Sequence, residues 1–229
     1  MSCIRVLPEN LVMKIAAGEV LERPGSAVKE LLENAVDAGA THIGLTVEAG
    51  GTSLIRVTDD GCGMSAEDLA LAVTPHATSK IHAEDDLYRI GSLGFRGEAM
   101  ASIAAVSRLR ILSRPHESDE GHEIEIVAED VRSNRAAGCP AGTTVEVRDL
   151  FFSVPARRKF LKQASTEFGH VNTQFARLAL AHPHIGFSVQ TGTAKPLDWP
   201  AKGGDNALRD RIEAVLGRDF VANAVETAG

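Results

Sequence analysis

Hydrophobic positions recur along most of the chain at spacings that distinguish helices from strands. Apolar residues three and four positions apart predict helices at about residues 9–18, 26–38, 66–73, 98–106, 166–180 and 206–216. Short apolar or alternating runs predict strands at 42–48, 54–59, 109–113, 122–128, 143–147 and 186–190. Turn signals join successive strands, and the chain shows no series of β-α-β units, so we expect an α+β fold.

Capping residues refine the predicted helix ends. Ser26 is predicted to open the helix at 26–38, and Gly39 to stop it. Ser65 should cap the next helix, with Asp68 three residues later in the place where a glutamate is more usual. Pro155 is predicted to open a basic helix, because proline is well suited to a first helical position.

Two stretches lack the periodicity of a helix or a strand. Residues 74–97 are long and polar, with glycines at 91, 94 and 97, and a segment of this kind is usually a functional loop or lid. Residues 199–205, which begin with Trp-Pro, are predicted to be a linker. The helix predicted after this linker would then belong to a second unit.

Composition places the chain among globular proteins. Its 229 residues suffice for one large domain, or one domain and part of a second, and 44% of them are hydrophobic. The net charge of −7 argues against nucleic-acid binding by overall charge alone. No apolar run is long enough to span a bilayer, and residues 1–10 lack the pattern of a signal peptide. We therefore expect a cytoplasmic protein without membrane contact.

The three cysteines do not form a recognisable framework. Cys3, Cys62 and Cys139 are odd in number and widely spaced, which argues against disulfides and against a zinc site. This usage is typical of a reducing compartment. We expect all three to be structural, because free cysteines are among the most buried residues.

The helix predicted at 26–38 carries a polar stripe. Glu30, Asn34 and Asp37 are spaced by four and three residues, which places them on one face. Apolar residues on the other side can pack against a sheet. Taken alone, such a stripe is the solvated face of an ordinary amphipathic helix. The alternative interpretation is that these three residues form a row of ligand-binding groups.

Two glycine-containing motifs follow along the chain. Asp59-x-Gly61-x-Gly63 comes directly after a predicted strand, where glycines let the backbone approach a flat ligand and the aspartate can accept a hydrogen bond. Residues 91–97 precede a helix, whose first N–H groups can hold phosphate. The spacing matches neither a Walker A loop nor a dinucleotide fingerprint. The simpler interpretations are a turn for the first motif and a flexible linker for the second.

In this order, the three elements resemble the GHKL ATPases, the superfamily of gyrase B, the large heat-shock chaperones, sensor histidine kinases and MutL. Gly142-Thr143 before a strand looks like the last motif of that superfamily. Longer strings look like the MutL family of DNA mismatch-repair proteins, and they lie at residues 15–20, 23–24, 29–40, 76–81, 93–99, 151–152 and 155–161. Departures from the family pattern are small: Met100 stands where leucine is usual, and residues 153–154 are Ser-Val where Asn-Thr is common.

The resemblance implies a two-layer Bergerat sandwich with a mixed, mostly antiparallel sheet, and it implies a role for each site residue. Glu30 would be the general base, and Asn34 would ligate Mg²⁺. Asp59 would read adenine, with Thr143 reaching the base or its bound water. The other residues that would surround ATP are Asp37, Gly63, Met64, Thr78, Ser79, Lys80, Leu93, Gly94, Phe95, Arg96, Gly97, Glu98, Ala99 and Met100. Asp37 could instead only stabilise the end of its helix.

The function implied by the resemblance is ATP binding and slow Mg²⁺-dependent hydrolysis that drives conformational switching and N-terminal dimerisation in DNA mismatch repair. The implied partners of the full protein are a second copy, a MutS-type mismatch-recognition protein and DNA. Residues 1–200 would form the ATPase domain, and 201–229 a linker and the start of a truncated transducer domain. We therefore expect a fragment that lacks the lysine which the second domain supplies to the γ-phosphate.

Two other functions deserve comparison. A histidine-kinase-like phosphotransferase needs a phospho-accepting histidine upstream of Asn34, whereas the first histidine is His42. A non-catalytic, ATP-gated adaptor would share the binding residues but would not need Glu30.

Two polar clusters remain outside these motifs. The basic residues Arg157, Arg158, Lys159 and Lys162 could contact DNA phosphates, but a solvated basic face is the simpler interpretation. The segment His182-Pro183-His184 is predicted to be a turn.

Overall fold

The computed structural model describes residues 21–75, 77 and 98–224, so the helix predicted at 9–18 lies outside it. Within these ranges the helices are α1 (Pro24–Asp37), α2 (Ala66–Ala72), α3 (Ala99–Val106), α4 (Pro155–Arg158), α5 (Ala164–Ala181), α6 (Ala207–Leu216) and α7 (Arg218–Asn223). The strands are β1 (His42–Glu48), β2 (Leu54–Asp59), β3 (Arg108–Arg114), β4 (Gly121–Val127), β5 (Asp130–Ala137), β6 (Gly142–Arg148), β7 (Gly186–Thr191) and β8 (Leu197–Trp199).

The eight strands form one sheet in the order β5-β4-β3-β6-β2-β1-β7-β8. Neighbouring strands are antiparallel except for β1 and β7, which run parallel. Because β1 and β7 lie far apart in the sequence, a long connection through the rest of the sheet and α5 separates them. The mixed, mostly antiparallel sheet expected from the family resemblance is confirmed.

Helices cover one face of this sheet and form the core with it. Inward positions of the strands alternate regularly, as in β1, where Ile43, Leu45 and Val47 are buried. α1 and α5 pack against each other above these residues. Phe175 of α5 lies edge-on to Phe187 of β7, with ring centroids 5.6 Å apart. The protein is thus a two-layer α/β sandwich.

The opposite face of the sheet carries arginines and glutamates that neutralise one another. Glu146 on β6 accepts hydrogen bonds from Arg56 (2.6 Å) and Arg148 (2.6 Å). Glu123 on β4 is held between Arg110 and Arg135. Burial raises the pKa of both glutamates, but the arginines outweigh this effect and hold each pKa below its ordinary value. This face is therefore a cross-strand lattice of ion pairs rather than an open basic surface.

Most predicted elements agree with the structure, and two strands have the predicted bounds at both ends, β1 and β2. Ser65 caps α2 by accepting a hydrogen bond from the Asp68 N–H at 3.1 Å, as predicted. The start of α1 was wrong, because the helix begins at Pro24 with Arg23 as N-cap rather than at Ser26. Proline fixes the helical φ angle two residues earlier than the serine signal suggests.

The sequence pattern missed three elements, the strands β5 and β8 and the helix α7. β5 is one of the two edge strands, and most of its residues are exposed, so the strand shows no apolar alternation. The basic helix opened by Pro155 is only four residues long. Trp199, assigned to a linker, instead ends β8 and is buried against Phe175, with ring centroids 5.4 Å apart.

A buried arginine anchors α6 to the sandwich. The Arg211 side chain is completely buried, and its Nη2 donates hydrogen bonds to the carbonyls of Pro183, Ile185 and Pro200 at 2.6–3.1 Å. Its guanidinium also lies 5.5 Å from the centre of the Phe187 ring. Burial lowers the pKa of Arg211. This contact joins the helix to the turn that follows α5 and to the end of β8.

The link between β1 and β2 depends on a glycine at a crowded position. Gly50 has a φ of 66°, and a Cβ added there would lie 2.4 Å from the carbonyl oxygen of Ala164 at the start of α5. Gly39 has a similar φ of 74°, yet a Cβ there would meet no described atom within 4 Å. An alanine at Gly39 would therefore suffer backbone strain alone, whereas an alanine at Gly50 would suffer both backbone strain and steric overlap with α5.

We predict that Gly39→Ala lowers the free energy of unfolding by about 1 kcal/mol, the cost of a positive φ for alanine. Gly50→Ala should cost roughly 2 kcal/mol more, because α5 must also move away from the turn. Urea denaturation of both variants measures the difference. Equal destabilisation would show that α5 does not pack tightly on this turn.

Candidate functional site

The sheet register brings three polar side chains into one row at the end of three neighbouring strands. Asp59 on β2 pairs with Thr143 on β6, and Thr143 pairs with Ser113 on β3. Paired residues of adjacent strands project from the same face, and here that face is the one covered by helices. The next row inward is aliphatic, so the polar row marks the edge of the apolar core.

The loop after β2 is fastened on both sides of this row. The Gly61 N–H donates to Asp59 Oδ1 at 2.9 Å, and the Cys62 N–H donates to the carbonyl of Ala38 at the end of α1 at 2.9 Å. The Met64 N–H donates to Ser113 Oγ at 2.8 Å. These bonds hold the Asp-x-Gly-x-Gly segment between α1 and β3.

Two glycines let the backbone come unusually close beside this polar row. A Cβ at Gly63 would lie 2.2 Å from the carbonyl oxygen of Arg114, and one at Gly142 would lie 2.1 Å from that of Asp59. Both residues also have positive φ angles, 71° and 104°. No side chain fits at either position without moving the main chain.

Asp59 is a carboxylate held in poorly solvated surroundings. Its side chain is almost buried, and burial raises the pKa of Asp59 to about 6. The neighbouring charge of Asp60 adds to this increase, whereas hydrogen bonds from the Gly61 and Thr143 N–H groups oppose it. At neutral pH the group is still ionised and can accept further hydrogen bonds.

The polar stripe on α1 is only partly solvated. Asp37 is exposed, whereas Glu30 and Asn34 are half-buried, and the apolar side of the helix packs in the core as predicted. Lys29 pairs with two carboxylates, Glu30 Oε1 at 3.5 Å and Glu33 Oε2 at 2.9 Å. α1 contacts β2 and α3, and Glu30 and Asn34 are partly buried rather than fully solvated.

The predicted residues near the start of α3 lie in the described part of the chain only from Glu98 onward. Glu98 is the N-cap residue of α3, although its side chain does not cap the helix, and Met100 packs against the core. The remaining predicted residues lie outside the described residues, namely Thr78, Ser79, Lys80, Leu93, Gly94, Phe95, Arg96 and Gly97.

Other features noted in the sequence lie elsewhere or differ from expectation. Cys62 is exposed, so its assignment as a buried structural cysteine was wrong; it sits in a glycine-rich loop that faces solvent. His182-Pro183-His184 forms the turn after α5, as predicted, with the two imidazole rings 5.7 Å apart. Phe160, beside the basic run, is 82% exposed.

Sequence reasoning missed Ser113, whose hydroxyl lies within hydrogen-bond distance of the Met64 N–H, the Gly142 carbonyl and the Thr143 hydroxyl. A signal for it was present: β3 alternates Leu109, Ile111 and Ser113 at inward positions, so a serine stands where an aliphatic residue is expected. A buried hydroxyl is costly without hydrogen bonds. Such a break in an apolar row identifies a polar network.

Together these groups can hold a flat ligand that offers a hydrogen-bond donor. Asp59 supplies a charged acceptor, Thr143 a hydroxyl, and the close approach at Gly63 and Gly142 leaves only backbone beside the ligand. The half-buried carboxylate of Glu30 can take a proton, and the amide oxygen of Asn34 can ligate a hard cation.

Comparisons with known proteins identify the family of the chain. Residues 22–148 match the family of histidine kinase-, DNA gyrase B- and HSP90-like ATPases. The DNA mismatch repair protein MutL of Paramagnetospirillum magneticum is 52% identical over 224 residues, which are 97% of this chain and 37% of that protein. MutL of Anaeromyxobacter dehalogenans is 53% identical over 94% of the chain and 35% of its own length. The chain thus spans about a third of the length of these curated relatives.

Solved structures agree with the sequence relatives. The Aquifex aeolicus MutL ATPase domain complexed with ADP superposes with a TM-score of 0.71 and 35% identity, covering 86% of this chain and 70% of that one. The N-terminal domain of a DNA repair protein gives a TM-score of 0.73 at 26% identity, covering 90% of this chain and 60% of that one. The chain therefore belongs to the histidine kinase-, DNA gyrase B- and HSP90-like ATPases and, within them, to the MutL family.

Proposed function

We propose that this chain binds Mg²⁺-ATP in the recess between α1 and the polar end of the sheet, and hydrolyses it slowly. The row formed by Asp59, Thr143 and Ser113 carries this proposal, because it places a charged acceptor and two hydroxyls where the core would otherwise be apolar. The ADP bound to the Aquifex aeolicus MutL ATPase domain supports a nucleotide as the ligand.

Asp59 is the proposed reader of the base. Adenine presents an amino group, and an ionised carboxylate accepts only, so the pair is complementary. A guanine would present a carbonyl oxygen to the same carboxylate, and two acceptors repel each other. Gly63 and Met64 would line one side of the ring, with Thr143 at its edge.

Mg²⁺ would be held mainly by phosphates and water. Among the described residues, no three His, Cys, Asp or Glu side chains gather closely enough to hold a metal ion, which suits a cation that takes few protein ligands. Asn34 would supply an amide oxygen, and bound Mg²⁺ would offset negative charge on the phosphates.

Glu30 is the proposed general base. It stands one helical turn before Asn34 on α1, half-buried, with Lys29 at 3.5 Å. From there its carboxylate would take a proton from the water that attacks the γ-phosphate. Asp37 is exposed at the end of α1 and would contribute less directly, with Thr78–Lys80 and Leu93–Met100 closing over the ribose and phosphates.

At the level of the whole protein, we propose that ATP binding drives conformational switching and N-terminal dimerisation in DNA mismatch repair, with a MutS-type protein and DNA as partners. The identity with MutL proteins supports this role. We also propose residues 1–200 as the ATPase domain and 201–229 as a linker and the start of a second domain. Among the described helices, none is long and apolar enough to cross a bilayer.

Replacing Glu30 tests the catalytic role. We predict that Glu30→Gln lowers the rate of ATP hydrolysis by ~10²–10⁴-fold, the loss expected for a general base, while ATP affinity stays within a few-fold. Glu33→Gln is the matched control, because Glu33 is on the same helix and pairs with the same Lys29. Hydrolysis that survives in Glu30→Gln, or that falls equally in both variants, would contradict the role of Glu30 as base.

Replacing Asn34 tests the metal ligand. Asn34→Ala should weaken ATP binding when Mg²⁺ is present, because the proposed amide ligand is lost, and should have little effect in EDTA. Equilibrium titrations under the two conditions measure this difference. An equal loss in both would indicate that Asn34 contacts the nucleotide or supports the fold instead.

Replacing Asp59 tests base recognition. Asp59→Asn should weaken ATP binding by roughly 10-fold or more, the worth of a hydrogen bond to a charged group, and should reduce the preference for ATP over GTP. The exposed Asp119→Asn removes the same charge elsewhere and serves as control. An unchanged ATP/GTP preference in Asp59→Asn would refute the adenine contact.

The raised pKa of Asp59 predicts that ATP binding depends on pH. Because the pKa of Asp59 is raised to about 6, lowering the pH through this value protonates the carboxyl and should weaken ATP binding in the native chain. Protonation of the nucleotide is common to all variants, so the comparison with Asp59→Asn isolates the contribution of Asp59. Identical pH profiles for the two proteins would contradict it.

A further inference from the structure

Ser113 occupies a position where the surrounding pattern calls for an aliphatic residue. It is completely buried at the end of β3, while the preceding inward row across β3, β6 and β2 is Ile111, Val145 and Val57. The hydroxyl therefore lies at the inner edge of the proposed base-binding recess, one strand away from Thr143 and two from Asp59.

The hydroxyl of Ser113 has three partners. It accepts a hydrogen bond from the Met64 N–H at 2.8 Å, lies 3.1 Å from the carbonyl oxygen of Gly142, and lies 2.8 Å from Thr143 Oγ1. A serine hydroxyl has one proton and two lone pairs, and Met64 occupies one lone pair. The single proton must therefore go either to Gly142 or to Thr143.

These two arrangements give the recess opposite polarity. When Ser113 donates to Gly142, Thr143 donates to Ser113, all three contacts are hydrogen bonds, and Thr143 offers a ligand only lone pairs. When Ser113 donates to Thr143, the Thr143 proton is free to point at a ligand. The first arrangement satisfies more groups without a ligand, and the second suits a ligand that presents an acceptor.

We propose that Ser113 is a positioning residue that sets whether Thr143 donates or accepts, and thereby matches the recess to the edge of adenine. This inference rests on the proposed binding of ATP. Adenine presents the N6 amino donor beside the N1 acceptor. Asp59 accepts from the amino group, and Thr143, oriented by Ser113, donates to N1 directly or through one water.

The test compares ATP with 1-deaza-ATP, in which carbon replaces N1, by equilibrium binding in Mg²⁺. The native chain should prefer ATP by roughly five- to tenfold, the worth of one hydrogen bond to a neutral acceptor. Ser113→Ala should lose most of this preference, because Ser113 no longer donates to Thr143 and the Thr143 proton is free to turn to other acceptors; ATP binding should weaken and 1-deaza-ATP binding should stay unchanged. Ser107→Ala is the matched control, because Ser107 is equally buried but bonds to the carbonyl of Ile103 away from the row.

Equal weakening of both nucleotides by Ser113→Ala would overturn the proposal, since Ser113 would then support only the Met64 loop. A preference that survives in Ser113→Ala, or that the native chain lacks, would also overturn it. If Ser113→Ala does not fold, Ser113→Cys, with a similar shape and a weak donor, carries the same test. Failure of the native chain to bind either nucleotide would instead refute the proposed function.

Discussion

The hydrogen-bond register of β2, β6 and β3 is the constraint on which the site depends. Because Asp59, Thr143 and Ser113 pair across three strands, a shift of one residue would turn their side chains to the other face of the sheet. The same shift would expose the aliphatic rows behind them. The burial of the core therefore fixes the positions of the polar groups, and the site needs no separate source of rigidity.

Buried carboxylates have different partners on the two faces of the sheet. On the open face, each buried carboxylate is paired with two arginines, as Glu123 is with Arg110 and Arg135, so its charge is satisfied within the protein. On the helix-covered face, Asp59 accepts hydrogen bonds from backbone N–H groups and has a raised pKa. Among the described ion pairs, none involves Asp59. A buried carboxylate with a raised pKa is typical of functional sites.

Local patterns predicted the elements better than the contacts between them. β1 alternates along its length and β2 alternates from Ile55 to Asp59, so their bounds followed from the sequence. The polar stripe on α1 followed from helical spacing. β5 could not be found in this way, because an exposed edge strand has no buried face and therefore no alternation of apolar and polar residues. The start of α1 was misplaced because the proline signal competed with a serine signal two residues away.

Tertiary contacts between distant segments were beyond sequence reasoning. Asp59, Gly63 and Thr143 were found through motifs, but the role of Ser113 depends on the pairing of strands thirty residues apart. Arg211 is similar: its burial under three carbonyls results from the packing of α6 on the turn after α5. The sequence marks Ser113 only as a polar residue in an apolar row, and it does not mark Arg211 at all. Only the assembled fold gives them their partners.

The raised pKa of Asp59 also links the stability of the fold to its site. The folded chain binds this proton more tightly than the unfolded chain, so the free energy of unfolding falls as the pH rises from about 4 to about 6. Above that range the folded state carries a cost of roughly 3 kcal/mol for an ionised, poorly solvated carboxylate. A ligand that donates a hydrogen bond to Asp59 recovers part of this cost on binding. Folding thus leaves Asp59 as an oriented and poorly solvated acceptor. Under this condition one hydrogen bond discriminates most strongly between ligands.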